Sequence, residues 1–141
     1  MSATNVNPYI YFNGTAAKAI QLYESALGAK TETVMRFGDA PGMGDKSPEQ
    51  KDRVMHAALR IGEGLVMLTD MPPDEPVAAG GNVEVALHFT DPEEMAKAFA
   101  ALAAGGKVKV PPQDMFWGAK FGALTDAHGV HWMFNCPLAT A

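Results

Sequence analysis

Cysteine is nearly absent: the 141 residues hold only Cys136, so no intrachain disulfide can form and the sequence fits a reducing compartment. Cys136 follows a run of apolar strand residues and reads as a small core or strand-end side chain, with a reactive thiol as the alternative. No apolar run approaches the roughly 18 residues that span a bilayer. The opening Met1-Ser2-Ala3-Thr4-Asn5 lacks the basic start and apolar centre of a secretory signal. The expectation is a soluble cytoplasmic protein with no membrane partner. Positive charge is also scarce. Eleven Lys and Arg against 16 Asp and Glu give a formal net charge of −5, and no basic tract offsets it, so nucleic acid is not an expected partner.

Hydrophobic residues are plentiful, at 48% against 19% charged, which is globular composition at the length of one ordinary domain. Pro8-Tyr9-Ile10-Tyr11-Phe12 reads as a strand, because aromatic and β-branched residues suit a pleated surface. Asn13-Gly14-Thr15 breaks it, and Thr15 or Asn13 can cap the next element. Ala16, Ala19, Ile20, Tyr23 and Leu27 share one helical face, and Gly28 stops that helix. A strand is expected over Lys30–Phe37, then a long loop over Gly38–Asp52. A hairpin of Val54–Ile61 and Leu65–Thr69 follows around Gly62-Glu63-Gly64. Asp70–Asn82, with three prolines and two glycines, reads as a linker.

The order then repeats. Val83–Phe89 is a strand signal, and Asp91-Pro92-Glu93-Glu94 starts a helix with a cap, an N1 proline and an acidic first turn. That helix runs to about Ala104 and ends at Gly105-Gly106. Strands are expected at Lys107–Val110, Trp117–Thr125 and Val130–Asn135, with a Pro-rich bend after the first and the Asp126-Ala127-His128-Gly129 turn before the last. Phe12 matches Phe89, and Leu27-Gly28-Ala29-Lys30 matches Ala104-Gly105-Gly106-Lys107, both at an offset of 77. The reading is an α+β fold of two βαβββ modules forming a cupped mixed sheet within a single domain 1–141. Module one covers about 7–70, the linker 71–82 and module two about 83–136.

Side chains alternate across a strand, so one face of each strand meets a helix and the other faces the cup. Val83, Val85, Leu87 and Phe89 suit the helix side, as do Ile10 and Phe12. The concave side then collects Tyr9, Tyr11, Glu84, His88, His131 and Met133, together with His56. An apolar cup with a few polar groups is how small-ligand sites are built. A carboxylate beside a histidine can also serve as an acid–base pair. Arg36 ends a strand in the Gly- and Pro-rich Arg36–Gly42 loop. Phe116 and Trp117, in a glycine-flanked segment, line a cavity mouth or staple a dimer, and Trp117 is expected to be buried. No Gly-x-Ser-x-Gly elbow and no His-x-x-x-His spacing is present.

Pro8-Tyr9-Ile10-Tyr11-Phe12-Asn13-Gly14, Arg36-Phe37-Gly38-Asp39, Val54-Met55-His56-Ala57 and Phe116-Trp117-Gly118-Ala119-Lys120-Phe121-Gly122 resemble the PhnB-like branch of the vicinal oxygen chelate superfamily. The Asp126-x-x-Gly129-Val130-x-Trp132 turn fits it too. The resemblance implies paired βαβββ modules assembled as a homodimer, related to glyoxalase I, extradiol dioxygenases and fosfomycin- or bleomycin-resistance proteins. Catalytic members place His and Glu metal ligands on inward strand positions. Those positions fall here on Asn7 or Pro8, on Met67 or Leu68, on Glu84 and on Met133. Only Glu84 is an ordinary divalent ligand, against the roughly three protein ligands a catalytic site needs. The methyltransferase label often attached to this branch finds no Gly-rich nucleotide loop after a strand. The expected function is therefore binding of an unidentified small molecule in a cup with a degraded metal site and no resident cofactor. The alternatives are a metal-dependent lyase, dioxygenase or transferase with a non-standard ligand set drawn from His56, Glu84, His88 and His131, or an inert or regulatory dimer.

Overall fold

Apolar residues at helical spacing and alternating strand residues sort into two copies of one pattern. A computed structural model describes residues 2–42, 44, 46–78 and 80–138. Met43 and Asp45 of the expected loop and Ala79 of the expected linker lie outside the described residues. The chain divides into two units, Met1–Ala78 and Ala79–Ala141, a division that falls within the Pro- and Gly-rich stretch 71–82.

In the first unit the elements are β1 (Tyr9–Phe12), α1 (Ala16–Leu27), β2 (Lys30–Arg36), a 3-10 turn (Phe37–Asp39), α2 (Pro48–Asp52), β3 (Val54–Ile61) and β4 (Gly64–Asp70). The strands form one four-stranded sheet in the order β1-β4-β3-β2. β1 lies parallel to β4, and the other neighbours are antiparallel. Ala16, Ala19, Ile20, Tyr23 and Ala26 of α1 are buried, as are Phe12, Val54, Ala57, Leu59 and Leu68 of the strands. Gly28 adopts φ +67° and closes α1, as only glycine does without strain.

Neither Thr15 nor Asn13 caps α1, contrary to expectation. Thr15 makes no side-chain cap bond, and the Asn13 side chain is engaged with the backbone of Val77. The cap comes through space from Asp70 at the end of β4, whose Oδ1 accepts from the N–H groups of Gly14 and Ala16 at 2.9 and 3.0 Å. The expected loop Gly38–Asp52 also holds α2, whose Ser47 and Gln50 form a reciprocal capping box.

The second unit repeats the plan: β5 (Val85–His88), α3 (Pro92–Ala103), β6 (Lys107–Asp114), β7 (Ala119–Thr125) and β8 (His131–Pro137). Its sheet order is β5-β8-β7-β6, again with one parallel pair, β5 with β8. The expected mixed sheet is thus realised as two four-stranded sheets, one per module. Met95, Ala98, Phe99 and Leu102 of α3 are buried, as are Leu124, Trp132 and Phe134 of the sheet. Phe99 meets Phe134 edge-on at 5.0 Å, and Phe89 stacks on Phe134 at 5.6 Å.

The Pro-rich bend expected after Val110 is instead the continuation of β6 through Pro111 and Pro112. β6 is an edge strand whose register shifts between Val110 and Gln113, where proline's missing donor costs no ladder bond. Cys136 is fully buried and free, as a core residue. No helix among the described residues is long and apolar enough to cross a membrane.

Candidate functional site

Strand pairing fixes which residues share the face of each sheet turned away from its helix. In the first unit one row across that open face is Tyr9–Met67–Ala58–Thr33, and beyond it lie the pairs Tyr11–Thr69 and His56–Met35. Tyr9 Oη bonds His56 Nδ1 at 3.0 Å, and the Tyr9 and Tyr11 rings lie 5.3 Å apart. Tyr9 and Tyr11 remain 40% and 48% exposed, so these rings stand on the surface of the sheet. Of the expected site residues, Tyr9, Tyr11 and His56 therefore come together.

In the second unit the central row of the open face is Ala86–Met133–Ala123–Val110. The next row toward one end holds His131 and Thr125, with Glu84 immediately before β5. Lys109 sits at the register shift between Val108 and Val110. Lys109 Nζ lies 3.0 Å from Glu84 Oε2 and 3.5 Å from His131 Nδ1. Thr125 Oγ1 lies 3.0 Å from the same Nδ1, while His131 Nε2 meets the carbonyl of Gly80. A ring nitrogen facing a carbonyl must carry the proton, which leaves Nδ1 as an acceptor in the neutral ring. The row toward the other end is His88–Asn135–Phe121–Gln113, with His88 Nδ1 and Asn135 Nδ2 at 3.4 Å.

The expected Glu84, His88, His131 and Met133 thus share one face. Four residues of strand, about 13 Å at 3.3 Å each, separate the His131 row from the Asn135 row. Lys109 and Thr125 were not anticipated. The signal for Lys109 was its place in a Lys-Val-Lys-Val strand, but the bulge that aims it is invisible to alternation.

One expectation about the aromatic segment needs correction. Trp117 is 53% exposed rather than buried, and Phe116 is 97% exposed at the turn between β6 and β7. Trp117 packs edge-on against Phe116 at 5.0 Å and against Phe121 at 6.2 Å, so it borders the Asn135 row. The buried tryptophan is Trp132, in the helix-facing row. Arg36 lies apart from the Tyr9 and His56 rows. Its guanidinium bonds the Asp52 carbonyl and lies 3.7 Å from the Asp52 carboxylate. Beside that loop an open pocket of about 510 Å³ is lined by Phe37, Lys46, Gln50, Arg53 and the Pro72-Pro73 pair.

The metal positions implied by the resemblance do not make a donor set. The Asn7 amide donates to the Leu65 carbonyl at 3.2 Å. Leu68 is fully buried and Met67 lies in the open row, so the second position is a thioether, as is Met133 in the fourth. Glu84 is occupied by the Lys109 ammonium. Among the described residues no three His, Cys, Asp or Glu side chains converge. These residues do not fit a divalent centre of about three protein ligands.

Known proteins share this architecture. The Escherichia coli K12 protein YjdN is 33% identical over 138 residues, covering 92% of this chain and 93% of its own. The crystal structure of Pseudomonas aeruginosa protein PA1353 superposes with a TM-score of 0.85 at 36% identity, over 97% of this chain and all of that one. A Bacillus cereus structure described as "putative 3-demethylubiquinone-9 3-methyltransferase, PhnB protein" gives a TM-score of 0.75 at 20% identity, covering 94% and 99%. Residues 5–134 match the family profile, and with the paired βαβββ sheets and a PhnB protein among its structural neighbours, the chain belongs to the Glyoxalase/Bleomycin resistance protein/Dioxygenase superfamily.

Proposed function

We propose that the chain binds a small organic molecule against the open faces of its sheets, without a metal ion and as a homodimer. The observation that carries this is the central row of the second sheet. Ala86 and Ala123 flank Met133 there, between a polar end at Glu84, Lys109 and His131 and an aromatic end at Phe121 and Trp117. The exposed Ala86 leaves room above the strands, a thioether adapts to shape, and the few polar groups orient what binds. The first sheet offers a second such surface in Tyr9, Tyr11 and His56. Val34 and Met35, each 41% exposed on edge strand β2, are apolar surface of the kind that a second copy covers.

A thermal-shift screen over quinones, thiols and aromatic drugs tests the reading. At about 100 times Kd a ligand adds ~2.7 kcal/mol, a shift of several degrees. The expected hit moves the NMR signals of Met133, His131 or His56. A hit whose shifts fall only in the pocket beside Phe37 and Pro72 contradicts the placement. Light scattering should report twice the monomer mass, and a monomer at high micromolar concentration contradicts the dimer.

A further inference from the structure

We propose that Lys109 supplies the positive centre of the second sheet's open face from within the chain, and that the ligand it takes is a small carboxylate with an apolar body. This rests on the reading that the face binds a small molecule, and it names the class. An ammonium has three N–H donors. One points to Glu84 Oε2 at 3.0 Å and a second lies toward His131 Nδ1 at 3.5 Å, which leaves a third for a ligand oxygen. His131 Nδ1 already faces the Thr125 hydroxyl at 3.0 Å, so its hold on Lys109 is weak. The Lys109 and Glu84 side chains are 36% and 35% exposed, so the ion pair is within reach of solvent and readily redirected. The apolar floor of the exposed Ala86 and the half-buried Met133 lies in the adjoining row and accommodates the rest of the ligand. A fixed charge at this position does for an anion's oxygens what a bound cation does elsewhere, with no need for three protein donors.

Benzoate and its neutral isostere benzamide are the probes, titrated into the whole chain with chemical shifts read at His131 and Met133. Wild type should favour benzoate, and Lys109→Met should lower benzoate affinity about tenfold or more while leaving benzamide unchanged, as expected for loss of a charge-assisted hydrogen bond. Glu84→Gln should raise benzoate affinity, because it releases the ammonium from its carboxylate. A purely structural salt bridge predicts the same direction for both variants, so parallel effects overturn the proposal. It is also overturned if Lys109→Met keeps the benzoate preference, if wild type binds neither probe at this face, or if one Zn²⁺ per chain binds Glu84 and His131. Should the probes fail while a screening hit still moves Tyr9 and His56, the carboxylate inference falls and the small-molecule reading survives.

Discussion

Asp126 is 3% exposed, yet its carboxylate is well supplied: it accepts from the N–H groups of His128 and Val130 at 2.8 and 3.1 Å and from Trp132 Nε1 at 2.9 Å. The turn before β8 and the core tryptophan are thereby one structure. Trp132→Phe should cost about 1–3 kcal/mol, since the buried Asp126 carboxylate loses one of its donors while much of the ring volume stays. Trp132→Ala should cost about 3–5 kcal/mol through the cavity, whereas the half-exposed Trp117→Ala should stay within about 1 kcal/mol. Urea unfolding of the three variants checks the ranking, and a larger loss at Trp117 would contradict it. Asp70 plays the matching part in the first unit, tying Gly14, Ala16 and the Val54 N–H at 2.9 Å to the end of β4. Asp70→Asn puts an amide donor against one of those donors and should cost about 1–3 kcal/mol by the same measurement.

Among the elements, β7 meets its neighbour helix closely at Gly122. A Cβ on Gly122 would lie 2.9 Å from the Phe99 ring, which is itself wedged edge-on against Phe134. Gly122→Ala should therefore lower stability by about 1–3 kcal/mol, read as a lower melting temperature, and an unchanged value would mean that α3 can move away. Helices and strands of this kind were largely legible, because helical spacing in Ala16–Leu27 and alternation in Val83–Phe89 are local signals. The Ser47-x-x-Gln50 box was present in the sequence but lay inside a stretch dominated by Gly, Pro and charge. The Asp70 cap could not be read, since 54 residues separate it from Ala16. The aim of Lys109 was hidden too, because a bulge defeats alternation. Trp117 was misjudged because composition marks an aromatic as core material, while burial depends on which strand row its turn reaches.

At the scale of the whole chain, duplication left each sheet with one face packed by a helix and one face bearing Tyr9, Tyr11 and His56, or Glu84, Lys109, His131 and Met133. The sequence pattern was enough to name most of these residues, since a parity of two assigns faces once the strands are right. It could not name the ligand, because rings, thioethers and one ion pair accept many small molecules. The account's central claim is binding at an open sheet face without a metal. Its most direct test is titration of a screening hit, or benzoate, into protein stripped with EDTA and dialysed, with the His56 and His131 ring signals followed by NMR. The account predicts that the stripped protein binds as tightly as before and that at least one of those rings shifts. Binding that disappears on stripping and returns with one equivalent of a divalent metal would contradict it.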